Sequence, residues 1–379
     1  MENIVFKNNI TLFNFLGFRI RINISWIIIA VLITWSLSTG FFPYFYKGLS
    51  TAQYWIMGAL TAIGFFASIL FHELCHSIVA RYYGLPIRNI TLFLLGGVAE
   101  ITEEPKTPKI EFLVAIAGPI ASMVLGFAFY GIALGTAGIG ISPFLTGIIN
   151  YLAIINWILA VFNMLPAFPL DGGRIFRSAL WKYKGDLRWA TNIASQTGSL
   201  FGILLMIFGL LDMFTGNLIG GIWYFIIGLF MKSAAQMSYH QLIIKQKLEG
   251  KTVASLMLIN PVTVSPEISV RDLVENYIYR HHFKMYPVVE DDRLIGCVHM
   301  NKVKEIDRAK WEEHNVRELV ISCSKDNTIS PQEDVTDAMT LMNKTGNSRL
   351  MVVEKGKLKG IIAQKDIMGY LSIRMEMER

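Results

Sequence analysis

The fold class predicted here is a polytopic α-helical membrane protein with small β elements, joined to a soluble α/β module. Three observations predict it. The chain of 379 residues is 53% hydrophobic and only 17% charged, with a mean hydropathy of +0.43, whereas soluble domains carry about 25% charge. The apolar residues are concentrated between about 22 and 236, while 250–379 alternates like a soluble domain. The tail also repeats itself: VSPEISVRDLVENY (264–277) resembles ISPQEDVTDAMTLM (329–342), and YPVVEDDRLIGCV (286–298) resembles LMVVEKGKLKGII (350–362). The expected organisation is a membrane domain over 1–236, a linker over 237–251 and a tail over 252–379. The tail's two copies cover about 252–308 and 316–372, each reading as strand, helix, strand, turn, strand, helix.

A membrane-spanning helix needs about 20 mostly apolar residues. Six segments qualify, at about 22–40, 54–80, 110–134, 144–166, 193–211 and 217–236. Their flanks are asymmetric. Fifteen Lys and Arg fall in 1–21, 81–109, 167–190 and 231–250, and only Lys47 in the opposite loops. The positive-inside rule then puts both termini and the tail in the cytoplasm, in a multi-pass protein of the cell membrane. The same distribution disposes of nucleic acid as a partner, because the formal charge of +6 lies between apolar blocks rather than in one patch. Three unpaired cysteines, Cys75, Cys297 and Cys323, suit a reducing compartment. The opening MENIVFKNNITLF has one early cation and no cleavable-leader pattern.

Two stretches read as β structure. GFRIRINISW (17–26) alternates at period two, and NITLFLLGGVAEI (89–101) is β-rich but too short to span. An exposed sheet edge can take an extended peptide segment as an added strand. The 89–101 stretch is the candidate edge, with a purely structural hairpin as the alternative.

The chemistry is concentrated in FHELCH (71–76). His72 and His76 stand at i and i+4, so one helix turn puts both imidazoles on one face, a spacing that suits two ligands of one zinc. Glu73 is offset by about 100° and reaches a water polarised by the metal rather than the metal itself. Burying such groups in an apolar span costs roughly 2.5–3.5 kcal/mol for an acidic residue, which calls for a compensating partner. A catalytic zinc takes three protein ligands, and several residues compete to be the third. Cys75 is rotated away and reads as a packed thiol. Glu100, Glu103, Glu104 and Glu111 flank the third span. Asp171 lies in NMLPAFPLDGGR (163–174), either as a ligand or as a cap for a helix starting at about Arg174, with Gly172 and Gly173 turning the backbone beside it. Asn156 and Asn163 share one face of the fourth span, where amides either bond between helices or meet a substrate.

FHELCH, the GGVAE loop, AGP (117–119) and FNMLPAFPLDGGR together resemble the site-2 protease family of intramembrane zinc metalloproteases, over roughly 12–236. The resemblance implies one zinc ion held by His72, His76 and Asp171, with Glu73 as general base. It also implies that Asn163 positions the scissile peptide, and a membrane protein with a transmembrane segment as substrate. The tail, over about 252–372, resembles a tandem of cystathionine-β-synthase-type (CBS) domains, a Bateman module. Such modules bind adenine nucleotides through Ser or Thr followed three residues later by Asp, and often form homodimers. Here the pattern is broken: the first copy reads His299-Met300-Asn301-Lys302 and the second Ala363-Gln364-Lys365-Asp366, which leaves Asp366 as the one candidate ribose contact.

The leading expectation is an intramembrane zinc endopeptidase modulated by the tail. Water attacks directly, because no Ser or Cys is placed with a base. The alternatives are a divalent-metal transporter gated by the tail, disfavoured by the lack of a visible repeat among the spans, and a catalytically silent membrane sensor.

Overall fold

The computed structural model describes residues 9–93, 96–101, 104–138 and 142–377. Two compact units divide it, Met1–His240 and Gln241–Arg379. In the first, strands β1 (Asn9–Phe15) and β2 (Phe18–Asn23) form a hairpin. Helix α1 (Ser25–Phe45) and helix α2 (Thr51–Tyr82) follow, then β3 (Ile87–Phe93) and β4 (Gly96–Ile101). The remaining helices are α3 (Pro108–Gly138), α4 (Pro143–Asn163), the shorter α5 (Asp171–Lys184), α6 (Leu187–Phe214) and α7 (Leu218–Leu248). Six of these, all except α5, are long and apolar enough to cross a membrane. Each of the six expected spans falls on one of these helices, with most ends shifted by up to six residues and the last helix running 12 residues past its expected end at 236. The segment 237–251, expected as a linker, is helical as far as Leu248.

The four strands form one sheet in the order β1-β2-β3-β4, with β2 and β3 parallel. This narrows the reading of 89–101 as a candidate edge to its second strand. Residues 89–93 lie inside the sheet between β2 and β4, and Gly96–Ile101 forms one edge, with β1 at the other. The period-two strand at 18–23 occupies one side of β3, so within 89–101 the open side belongs to β4. Phe18, Ile20 and Ile90 of the sheet pack on Leu74 of α2, with Leu70 alongside. On α2, Leu70 and Leu74 lie opposite the histidine face, so the sheet covers one side of the helix and leaves His72 and His76 to meet other partners. The start of α2 is fixed by a capping box between Ser50 and Gln53.

The second unit has two sheets. β6 (Met285–Glu290), β7 (Arg293–His299) and β8 (Ile321–Ser322) form one, and β5 (Leu258–Ile259), β11 (Lys357–Ala363), β10 (Arg349–Glu354) and β9 (Thr328–Ile329) the other. The short strand near the start of each copy pairs with the other copy's hairpin: β5 adds to β11 and β8 to β7. Each copy has its own apolar core, and Met285, Cys297 and Met351 form a third cluster contributed by both. Ile244 and Leu248, at the end of α7, belong to the core of the second copy.

Candidate metal centre and active site

His72 and His76 are almost fully buried on α2, with relative exposures of 3% and 4%. Helix α3 crosses their face and holds both rings. Ser122 Oγ is 2.9 Å from His72 Nδ1, and the Val114 carbonyl oxygen is 2.6 Å from His76 Nδ1. A carbonyl only accepts, so His76 Nδ1 carries the proton and donates it, and the ring's Nε2 is left as a lone-pair donor atom in the neutral form. Gly118 lies between these two contacts. A Cβ added there would stand 2.2 Å from His76 Nε2 and 2.5 Å from His72 Nε2. The close approach of α3 to the imidazoles therefore requires glycine.

Asp171 comes from a third helix. It is the first residue of α5, and Leu170, not Asp171, is the N-cap, without a side-chain cap bond. The cap alternative is thus replaced: the carboxylate turns away from its own helix. Its Oδ2 is 3.0 Å from His72 Nε2 and 3.1 Å from His76 Nε2, and the two Nε2 atoms are 3.1 Å apart. Burial alone would push this carboxyl up, but the His76 and His72 rings beside it hold it well below the usual carboxylate range.

Gly172 and Gly173 are helical rather than turn residues, contrary to expectation. A Cβ on Gly172 would meet the Leu165 and Met164 carbonyl oxygens at 2.3 Å, and one on Gly173 would meet Phe168 N at 2.5 Å. They let the 164–170 loop fold back on the first turn of α5, and that packing aims Asp171.

Among the described residues, His72, His76 and Asp171 form a set whose donor atoms could hold a metal ion. The chemistry of the set fits zinc. Two imidazole nitrogens and a carboxylate oxygen, all acceptors when the rings are neutral, face one another and call for a cation between them. A tetrahedral zinc with bonds of about 2.0–2.2 Å needs its ligands about 3.3 Å apart, a few tenths more than the separations here.

Of the other expected residues, Glu73 is half-buried on α2, between the histidine face and the face covered by the sheet. Asn156 is fully buried. Its Nδ2 donates at 3.0 Å to the Oγ of Ser68, one helix turn before His72, and to the Leu152 carbonyl of its own helix. Asn163 is half-buried at the last residue of α4, where the 164–170 loop begins. Glu111 and Glu104 do not approach the histidines and instead pair with Arg177. The side chains of Glu100 and Glu103 lie outside the described residues. Asp366 is exposed in the first turn of the last helix, Gln364–Met377. Beside it is a pocket of about 330 Å³ lined by Ser348, Arg349, Ala363, Gln364, Lys365 and Met368. Sequence reasoning missed Val114, Gly118, Ser122 and Arg177. The first three recur every three or four residues on one stripe of α3, around the AGP already singled out, and that spacing was the available signal.

The pattern of peptidase family M50 matches residues 60–146 and 140–207, and that of the CBS domain matches 253–307 and 316–373. A protein of Mycobacterium tuberculosis named as the zinc metalloprotease Rip3 is 33% identical over 353 residues, covering 93% of this chain and 90% of the relative. The chain belongs to the site-2 protease family, peptidase family M50. A zinc metalloprotease of Methanocaldococcus jannaschii is 32% identical, covering 96% of each chain. The solved structure of a site-2 protease from the same organism is 30% identical and covers 61% of this chain and 95% of that one, at a TM-score of 0.43. As a site-2 protease the chain is a membrane zinc metalloprotease with two CBS domains, an enzyme rather than a transporter or a silent sensor.

Proposed function

We propose that this site-2 protease hydrolyses a peptide bond in or near a transmembrane segment of a membrane protein, close to the cytoplasmic end, and so acts in regulated intramembrane proteolysis. One observation carries the reading: His72, His76 and Asp171, from two helices, converge within hydrogen-bond distance with Glu73 one residue away on the same helix. In this reading His72, His76 and Asp171 hold a single zinc ion. When bound, the zinc supplies Lewis acidity that polarises the scissile carbonyl and lets water ionise near neutral pH. Glu73 takes the proton of the attacking water as oxygen bonds to the carbonyl carbon, and returns it to the amine nitrogen as the C–N bond breaks. Asn163, where α4 gives way to the Asp171 loop, positions the scissile peptide. Asn156 is bonded to Ser68 and so acts through packing. The free edge at Gly96–Ile101 takes the unwound substrate as an added strand. Both termini and the CBS module face the cytoplasm, and the module modulates activity. The pocket beside Asp366 is its candidate adenine-nucleotide site, and pairing of CBS modules would give a homodimer.

The test compares the purified full chain with Glu73→Gln. Bound zinc is measured for both, and both are incubated with a single-span test substrate. Zinc in both with cleavage only by the parent is expected. Equal cleavage by both would refute Glu73 as base, and a parent chain without zinc would refute the metal site.

A further inference from the structure

The cluster left unused by this chemistry is a buried ion pair. Glu111 on α3 is 0% exposed and Arg177 on α5 is 6% exposed. Arg177 Nε donates to Glu111 Oε1 at 2.5 Å, its Nη2 reaches the same oxygen, and Nη2 also lies 3.3 Å from Glu104 Oε2. The guanidinium stands 5.3 Å from the ring centroid of Phe168, in the loop that leads into Asp171. Glu111 Oε2 is buried without a hydrogen-bond partner.

Such a pair is a weak way to hold a fold together. Desolvation offsets most of its attraction, and a well-packed apolar pair of similar volume is often as stable or more so. Its worth lies in direction, and its location shows what it directs. Glu111 shares the stripe of α3 that carries Val114, Gly118 and Ser122, the residues that hold or admit both imidazoles. Arg177 is on the 14-residue helix that begins with Asp171. The ion pair thus ties the helix that aims the two histidines to the helix that carries the carboxylate, and Phe168 adds the intervening loop to the same guanidinium.

We propose that the Glu111–Arg177 ion pair is a positioning device that sets the Asp171 carboxylate against His72 and His76, so that removing either charge loosens the metal site without dismantling the fold. The inference rests on the reading of these three residues as zinc ligands. Ligand distances are tolerant to about 0.2 Å, so a small rotation of α5 is enough to weaken binding, and groups that orient ligands are typically worth 10–100-fold in metal affinity.

The test uses the full chain in detergent with Arg177→Met, Glu111→Leu, the double variant of both, and Arg177→Lys. Zinc affinity is read by competition with a chromophoric chelator, the ligand geometry by the visible spectrum of the cobalt(II) form, and folding by the melting temperature. Each single variant is expected to lose at least tenfold in zinc affinity and to alter the cobalt spectrum. The double variant, freed of its unpaired charge, is expected to regain the parental melting temperature but not the parental affinity. Arg177→Lys is expected to recover most of the affinity, because both guanidinium donors go to one oxygen that an ammonium can also reach. Parental zinc affinity in the double variant or in both singles would overturn the proposal, as would failure of every variant to fold. A parent chain that binds no zinc would refute the zinc-site reading itself, a different result from equal binding by parent and variants.

Discussion

Gly118→Ala is the smallest change that tests the geometry of the centre. The added methyl would stand 2.2 Å from His76 Nε2, 2.5 Å from His72 Nε2 and 2.7 Å from His76 Cε1. Unstrained contacts of carbon lie at about 3.5 Å or more, so each imidazole must retreat by about 1 Å or α3 must withdraw. Neither ring has an easy retreat, since Ser122 and the Val114 carbonyl hold their other nitrogens. A displacement of about 1 Å exceeds the roughly 0.2 Å that metal–ligand distances tolerate, and misplacement on that scale costs about 10²-fold in rate. The helix itself gains, because alanine is better than glycine in a helix interior by about 0.5–1 kcal/mol. The expected result is a fall of about 100-fold or more in both zinc affinity and cleavage, with the melting temperature within a few degrees of the parent. Zinc content after dialysis against buffered metal, cleavage of a single-span substrate and thermal unfolding measure the three quantities. Gly131→Ala, on the same helix with nothing within 4 Å of its added Cβ, is the control and should change none of them. Parental zinc affinity in Gly118→Ala would mean that α3 does not press on the two rings, and the argument for the centre's shape would fail.

Ser122→Ala leaves His72 Nδ1 without its partner, and zinc affinity should fall about 10–100-fold while the fold persists; chelator competition checks it. In the CBS module, burial first and Arg349 second hold the His299 pKa below its ordinary value. The folded state therefore binds fewer protons than the unfolded chain, so the module is fully stable above about pH 6.5 and loses stability as the pH falls from there towards the folded pKa. The module's unfolding transition should shift to lower temperature between pH 7.5 and pH 5.5, and His299→Gln should shrink that shift; an unchanged shift would remove His299 as its source. Cys297 is buried, with its thiol pushed up to about 11 by burial and by the neighbouring Cys323, whereas Cys323 is exposed. A soluble maleimide at neutral pH should label Cys323 within minutes and Cys297 only after unfolding, as mass mapping of the tail would show.

The general layout could be read from periodicity alone. Long apolar runs have one way of satisfying their backbone in lipid, so the six helices follow from composition. The period-two pattern at 17–26 gives β2, and the internal repeat gives two similar α/β halves in the tail. The pairing of His72 with His76 was legible for the same reason, since a local i, i+4 spacing puts both on one helix face, with Glu73 about 100° away. Which strand of 89–101 lies at the edge depends on the pairing of β3 with β2, of which 89–101 itself carries no mark. Asp171 was open between ligand and cap on spacing alone, because both roles need an acid near a helix start.

The sequence by itself determined the six long helices, the repeat in the tail and the residue types of a zinc protease, because these depend on interactions within a helix turn or a strand. Only the tertiary structure decided how Asp171, 99 residues from His72, meets it at 3.0 Å. It also decided why Gly118, Gly172 and Gly173 have no side chains, and what Glu111 and Arg177 tie together. Those are matters of which backbone approaches which across the fold, and no local spacing encodes the distance between two helices.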